Sequence, residues 1–577
     1  MTKLARYLIP YSAYLLLAVA LLFLQANCDL ALPDYMADIV NTGVMTGNIN
    51  DILQTGTKMI LITLLGTAAS VTVGYLAARS AAGVAHDIRS DLFRKVERFT
   101  NAEFDQFSTA SLITRTTNDI TQIQTVLVMM IRLVFYAPIM GIGGVIKAIS
   151  NSTSMSWVIG IAVICLLGLI MILFTTVMPK FKLIQKLVDR LNLVSRENIE
   201  GILVIRAFNT QRFEMDRFDR ANRDLTATNL FVNRAMMLMM PAMMLIMNLT
   251  MVTIVWVGAH QVSAFRLNIG DMMAYMQYAM QIIMAFLMMS MMFILFPRAA
   301  VSADRVAQVL STEPSIVDPV EPESFSEPFQ PTIEFKNVSF RYPGGQDDVL
   351  QDVSFVARAG QTTAIIGSTG SGKSTLVNLI LRFYDVTAGS ILVGGKDIRK
   401  VLRRDLRARI GYVPQKSVLF SGTIESNLAY ADPATSLDNL ERAASIAQAT
   451  EFIKAKPEGY ASTIAQGGTN VSGGQKQRLS IARALVKNAP IYVFDDSFSA
   501  LDLKTDRNLR AALKRETGSS TVLLVAQRVS TILNAEQILV LENGRIVGQG
   551  THQELMKSCP VYQQIALSQL TEEELAQ

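Results

Sequence analysis

Three short runs in the second half of the chain combine residue types and spacings suited to phosphate chemistry. The first is Gly367-Ser368-Thr369-Gly370-Ser371-Gly372-Lys373-Ser374, preceded by the apolar, strand-like residues 362–366 and followed by a helical pattern from Thr375. Glycines at that spacing let backbone N–H groups close round phosphate oxygens at a helix N-terminus. Lys373 would then reach the β- and γ-phosphates, and the Ser374 hydroxyl would hold Mg²⁺. The second run, Ile491-Tyr492-Val493-Phe494-Asp495, is an apolar strand whose last residue, Asp495, would orient the same metal and its water. Loop and strand together specify a P-loop site for a nucleoside triphosphate with Mg²⁺. The third run, Val471-Ser472-Gly473-Gly474-Gln475-Lys476-Gln477-Arg478, leads into a helical pattern over 479–486.

The elements that must carry these runs fall into two unlike halves. Of 577 residues, 50% are hydrophobic and only 18% charged, where a soluble domain carries about 25%. Mean hydropathy is +0.31. That content excludes a disordered chain. Three cysteines and three histidines exclude a disulfide scaffold and a His-rich metal site. The excess of 53 Lys+Arg over 48 Asp+Glu suits loops near anionic lipid better than a nucleic-acid track, and no nucleic-acid partner is expected. Apolar stretches near 8–28, 58–78, 126–148, 157–178, 236–260 and 272–296 are each about 20 residues or longer, enough to cross a bilayer. The connection after the first span is acidic, with Asp29, Asp34, Asp38 and Asp51, whereas loops 79–125 and 179–235 are long and basic. Basic loops stay on the cytoplasmic side, so both chain ends and the second half are expected there too. Val84, Ile88, Leu92, Val96 and Phe99, and again Leu183, Leu187, Leu191 and Val194, recur at helical steps. They give either peripheral hairpins or stalks that carry force, with turns near 106–116 and 202–212. The Pro-rich, acidic stretch 311–331 reads as a linker, dividing 1–310 from a soluble α/β domain over 332–577. Asn543-Gly544 marks a late hairpin there.

With the Ser472-Gly473-Gly474-Gln475 run beside the phosphate loop, the chain resembles an ATP-binding cassette (ABC) exporter half-transporter of the type IV, multidrug-exporter kind. The resemblance extends over essentially the whole chain. It implies an α-helical six-span transmembrane domain with long cytoplasmic extensions, then an α/β P-loop nucleotide-binding domain. It also implies a dimer in which each ATP lies between one chain's phosphate loop and its partner's signature. Carried over residue by residue, Tyr342 matches the aromatic that stacks on adenine, and Gln415 the glutamine that touches Mg²⁺ or the attacking water. Ser499-Ala500-Leu501-Asp502 matches the loop that crosses the dimer interface. Ser472, Gly473, Gly474 and Gln475 would meet the partner's γ-phosphate. Thr114-Arg115-Thr116 and residues 201–208 match the turns that couple to cassettes.

Two positions depart from the family pattern. After the strand aspartate the family ordinarily has Glu; here it is Asp496, one methylene shorter. Where the family places His, this chain has Gln527, which hydrogen-bonds but carries no proton or positive charge at pH 7. Both fall on the ATP held by this chain's own loop, while the signature serving the other ATP is intact. The expected arrangement is a heterodimer: a degenerate site here, and a competent one on a partner that carries the missing Glu and His. A homodimer with two slow sites is the alternative.

The cargo is less constrained. The last two spans hold seventeen of the 29 methionines, and Met272, Met276, Met280, Met284 and Met288 share one helical face. Such side chains either face lipid and pack, or line a pocket that accepts many apolar shapes. Export of small amphiphilic, drug-like or lipid-like compounds is the leading expectation. A dedicated peptide or lipid exporter, an exporter-fold importer and a non-catalytic regulatory subunit are the others. Arg132, inside a span, either binds anionic substrate groups or snorkels to the membrane edge. The expected location is a bacterial inner membrane.

Overall fold

The computed structural model describes residues 2–569, with side chains at all of these except 2, 3, 182, 291, 293–295, 297, 298 and 503. Lys182 and Met291 on the expected basic loop and last span, and the expected cassette end at 570–577, lie outside that description. The chain divides into two compact units, Met1–Glu97 with Thr109–Thr312, and Arg98–Ser108 with Glu313–Gln577.

The first unit is helical: α1 (Ser12–Asp38) and α2 (Ile49–Glu97) precede the excursion into the second unit. A short helix there, α3 (Asn101–Phe107), is followed in the first unit by α4 (Ile120–Asn151), α5 (Ser156–Glu200), α6 (Gln211–Ser263) and α7 (Ile269–Ser311). Six helical stretches among the described residues are long and apolar enough to cross a membrane. Large apolar side chains such as Leu16, Val71 and Ile164 point outward, while small ones face neighbouring helices, as close packing without a hydrophobic drive requires. At Gly144 of α4, a Cβ would stand 2.8 Å from Ile282 Cγ1 of α7, so glycine sets how closely these helices approach.

One expectation needs correction and two gain detail. Helix α1 does not stop at residue 28: Asp29 and Asp34 lie on it, because α4 and α7 supply Tyr136, Lys147, Tyr278 and Gln281 as hydrogen-bond partners. The first turn lies earlier than 106–116. Thr100 opens α3 with its N–H and hydroxyl both donating to Glu103 Oε2 (2.7 and 2.6 Å), and Ser108 ends it at φ 51°. Arg115 instead stands in a π-helical turn, Arg115–Asp119, donating to the Arg305 carbonyl and Gln308 of α7. The linker stretch is more than a spacer. Residues 313–332 are without helix or strand but lie along the second unit: Asp318 pairs with Arg403, Glu323 with Lys396 and Glu327 with Arg409. Acid-rich sequence meets a basic surface, and the segment is tied down. The second turn appears as expected, broken at Gly201 and carrying the helix Ile202–Ala207.

The second unit is built on a six-stranded sheet and a four-stranded antiparallel one. Strands β1 (Ile333–Phe340), β2 (Leu350–Ala357), β4 (Ala388–Val393) and β5 (Lys396–Asp397) make the smaller sheet, in the order β2-β1-β4-β5. The larger contains β3 (Thr362–Gly367), β6 (Ile410–Val413), β7 (Ile491–Asp495), β8 (Thr521–Val525), β9 (Gln537–Glu542) and β10 (Arg545–Gly550). Its order is β10-β9-β3-β8-β7-β6, parallel except for the β9–β10 hairpin that turns at Asn543-Gly544. Helices α8 (Lys373–Ile380), α9 (Gly473–Val486), α10 (Leu503–Glu516) and α11 (Pro560–Gln569) complete the elements used below. Strands β3, β7 and β8 are almost wholly buried, which is why they read as continuous apolar runs.

Glu103 fastens α3 to this unit, because its second oxygen accepts the Ser315 N–H at 3.0 Å. Burial alone would raise its pKa, yet the bonds from Thr100 and Ser315 prevail and hold it below the usual value. The anchor is therefore intact above the ordinary glutamate range and is lost only as pH falls through the depressed value below that range. Glu103→Ala should cost about 2 kcal/mol of local stability, read as faster hydrogen exchange across 98–108 and 313–317, with Glu103→Gln losing less.

Candidate nucleotide site

Four adjacent parallel strands, β3-β8-β7-β6, end on the same edge of the larger sheet, and each continues into a predicted site residue. Gly367–Gly372 follow β3, Gln527 follows β8, Asp496 follows β7 and Gln415 follows β6. The crevice at the carboxyl ends of such strands is where α/β sheets take ligands.

The loop after β3 closes through Gly370 and Gly372, at φ 85° and 101°. A Cβ at Gly372 would come within 2.7 Å of Leu350 Cδ2, so this turn excludes side chains on two grounds. Lys373 begins α8, and its ammonium donates to the carbonyls of Gly367 and Ser368 at 2.8 and 2.7 Å. Burial pulls its pKa down against the pull of Asp496 and Asp495. Ser374 Oγ donates to Asp495 Oδ1 at 3.1 Å. Two of the three proposed Mg²⁺ ligands thus already meet, and their hydroxyl and carboxylate oxygens fit a hard cation. Lys373 and the loop N–H groups fit phosphates. When bound, the metal would neutralise charge on the β- and γ-phosphates.

Asp496 takes a left-handed conformation, φ 47°, with its N–H on the Val525 carbonyl. Its Oδ2 accepts Gln527 Nε2 at 2.7 Å and lies 3.4 Å from Gln415 Nε2. The two residues that depart from the family pattern are therefore hydrogen-bonded to each other. Both carboxylates are more than nine-tenths buried. Burial raises the pKa of Asp495, with Ser374 opposing and Asp496 adding; it raises Asp496 too, opposed by Gln415, Lys373 and Arg528.

The remaining expected residues occupy three places. Tyr342 sits edge-on to Phe340 and Tyr384, at 4.9 and 5.1 Å between ring centroids, and its hydroxyl bonds Thr375 at 3.0 Å. Ser472 caps α9 in a reciprocal box with Gln475 (3.3 and 3.0 Å). Gly473 beside it is exposed, and Gly474 lies against the Ala500 carbonyl. Asp502 caps α10 by accepting Thr505 N–H at 2.9 Å, which lowers its pKa. Within this chain Ser472, Gly473, Gly474, Gln475 and Asp502 are not brought against the phosphate loop. Sequence reasoning missed three supports. Tyr384 holds Tyr342 and donates to Asp105 of α3; Arg528 donates to the Ser499 carbonyl; Gln569 of α11 bonds Gln527 O and Val529 N–H. Only Arg528, next to Gln527, had a positional signal.

Residues 15–286 match the family described as ABC transporter transmembrane region, and 350–499 match ABC transporter. An uncharacterised ABC transporter ATP-binding protein of Mycobacterium tuberculosis is 38% identical over 98% of this chain and 97% of its own length. The chain belongs to the ABC transporter family. An ATP-dependent lipid A-core flippase of Aromatoleum aromaticum is 34% identical, covering 86% of this chain and 82% of that protein. Among solved structures, a bacterial Atm1-family ABC exporter with ATP bound superimposes with a TM-score of 0.79 at 26% identity, covering 99% of both chains. This ABC transporter is an ATP-driven exporter half-transporter of Atm1-family fold, with six spans and a cassette that binds ATP.

Lys373→Ala should weaken ATP binding at this chain's loop by about tenfold or more, the loss of a charged hydrogen bond, measured by photolabelling the purified chain. Raised carboxyl pKa values mean that protons compete with Mg²⁺ sooner. Mg²⁺-dependent ATP binding should therefore begin to fall at a higher pH than ordinary aspartates would give. Asp496→Asn removes the like charge beside Asp495 and should move that onset down.

Proposed function

We propose that this exporter is one half of a heterodimer, holding one ATP on its own phosphate loop at a slowly hydrolysing site. Its signature, Ser472–Gln475, would complete the competent site of a partner that carries Glu and His where this chain has Asp496 and Gln527. The observation that carries this reading is the 2.7 Å bond from Gln527 Nε2 to Asp496 Oδ2. The carboxylate that would polarise an attacking water is already engaged by a neutral amide, on an arm one methylene short. A displacement of about 1 Å costs about 10²-fold in rate, and an amide in place of His removes the group able to carry charge. Tyr342, Lys373, Ser374 and Asp495 retain what binding needs.

The signature end of α9 supports the other half of the proposal. Ser472 and Gly473 are exposed at the N-terminus of a 14-residue helix, where backbone N–H groups favour an anion. Need for a partner is further supported by the second turn, where Leu203 is 76% and Phe208 75% exposed. Apolar side chains so clustered call for a cover. For cargo, we infer amphiphilic, drug-like or lipid-like compounds. The methionine face supports it: Met280 and Met284 are each 47% exposed, while Met272 and Met276 pack inward. The lipid A-core flippase relatives favour the lipid-like end of that class. The bacterial relatives support a bacterial inner membrane, and the basic loops support cytoplasmic termini.

In the purified pair, Asp496→Ala should change ATP turnover by less than about twofold, whereas Ser472→Ala should lower it by about tenfold or more. Equal losses, or brisk ATPase from this chain alone, would overturn the division between sites.

A further inference from the structure

The span helices hold a polar cluster that neither the nucleotide chemistry nor the family assignment explains. Asp29 of α1 accepts the Tyr136 hydroxyl of α4 on Oδ2 at 2.7 Å, and its carbonyl accepts Gln281 Nε2 of α7 at 3.0 Å. Gln25 lies one turn before Asp29 on the same helix face. Asp34, further along, is neutralised by Lys147 Nζ at 2.7 Å and also accepts the Tyr278 hydroxyl. Asp29 forms no such ion pair among the described residues. Arg132, one turn before Tyr136, is exposed and donates to Ser70 of α2 at 3.1 Å.

Two amide oxygens of this cluster lack a partner. Gln25 Oε1 and Gln281 Oε1 are buried without a hydrogen-bond partner, and Asp29 Oδ1 is a third acceptor. The backbone it faces on α2 is Gly66, where an added Cβ would lie 3.8 Å from that oxygen. Tyr136 packs with Met140, Tyr278 and Phe286 in one apolar cluster. Acceptors and a carboxylate without an ion pair, in an apolar bundle, are costly by themselves. They become favourable against a cation that donates N–H bonds.

We propose that Asp29, with Gln25, Tyr136 and Gln281, binds the cationic nitrogen of exported amphiphiles. This rests on the amphiphile reading of the cargo and narrows it to molecules with a charged amine or imminium head. The nitrogen belongs either to a free compound or to an amino lipid headgroup.

Ethidium, whose positive charge is shared onto its amino N–H groups, and its uncharged reduced form, dihydroethidium, carry the same amino groups and differ in charge. Equilibrium binding of both is measured on the full chain, with its partner, in phosphatidylcholine nanodiscs. Wild type should bind ethidium at least about tenfold more tightly. Asp29→Asn, which keeps the acceptor for Tyr136, should abolish that preference, and Asp29→Glu should retain it; thermal unfolding of each variant checks the fold. If phosphatidylethanolamine in the disc competes with ethidium, the natural head is a lipid amine. If it does not, the head is a free cation, and either result supports the site. Equal binding of the two dyes, or a preference that survives Asp29→Asn, overturns the site and leaves amphiphile export standing. Binding of neither dye overturns both.

Discussion

Two carboxylates stand side by side at the end of β7, nearly excluded from water, and the cassette is arranged so that this can be tolerated. Asp495 is met by Ser374, Asp496 by Gln527, and Gln415 and Lys373 stand close enough to influence the second. Like charges in a poorly solvated place are stable only with donors or a cation at hand. The order β3-β8-β7-β6 delivers those donors, because neighbouring parallel strands put their outgoing loops on one edge. Changing one of these side chains therefore alters the conditions for the others. In this chain the neutral Gln527 shares its hydrogen bond with a carboxylate that sits further back than a glutamate would.

Much of this was legible in the sequence, for identifiable reasons. The phosphate loop, the strand ending in Asp495 and the hairpin at Asn543-Gly544 are local signals: each is fixed by backbone geometry within ten residues. Buried parallel strands are equally plain as unbroken apolar runs. What stayed hidden depends on contacts distant in sequence. Hydropathy ends the first span at residue 28 because Asp29 looks like a membrane boundary, and only Tyr136 and Gln281, over a hundred residues away, explain why the helix continues. The α3 turn was misplaced although Thr100-Asn101-Ala102-Glu103 has the spacing of a capping box. The stretch 311–331 has a linker's composition but is held by Arg403, Lys396 and Arg409, whose positions composition does not reveal.

The nucleotide site and α3 share a scaffold. Tyr342 leans on Tyr384, and Tyr384 donates to Asp105, so the aromatic matched to adenine stacking is two contacts from a helix that interrupts the spans. The charged anchor Glu103 makes that helix part of the cassette's own folding unit. A segment between two membrane helices is thereby positioned by soluble-domain chemistry.

The bare apolar tip at Leu203 and Phe208 has a cellular consequence. A chain made in excess of whatever covers that tip would display the kind of surface that quality-control chaperones and proteases recognise in unfinished assemblies. Matched synthesis of the chain and its cover then becomes a condition for accumulation, enforced by side chains that take no part in ATP chemistry.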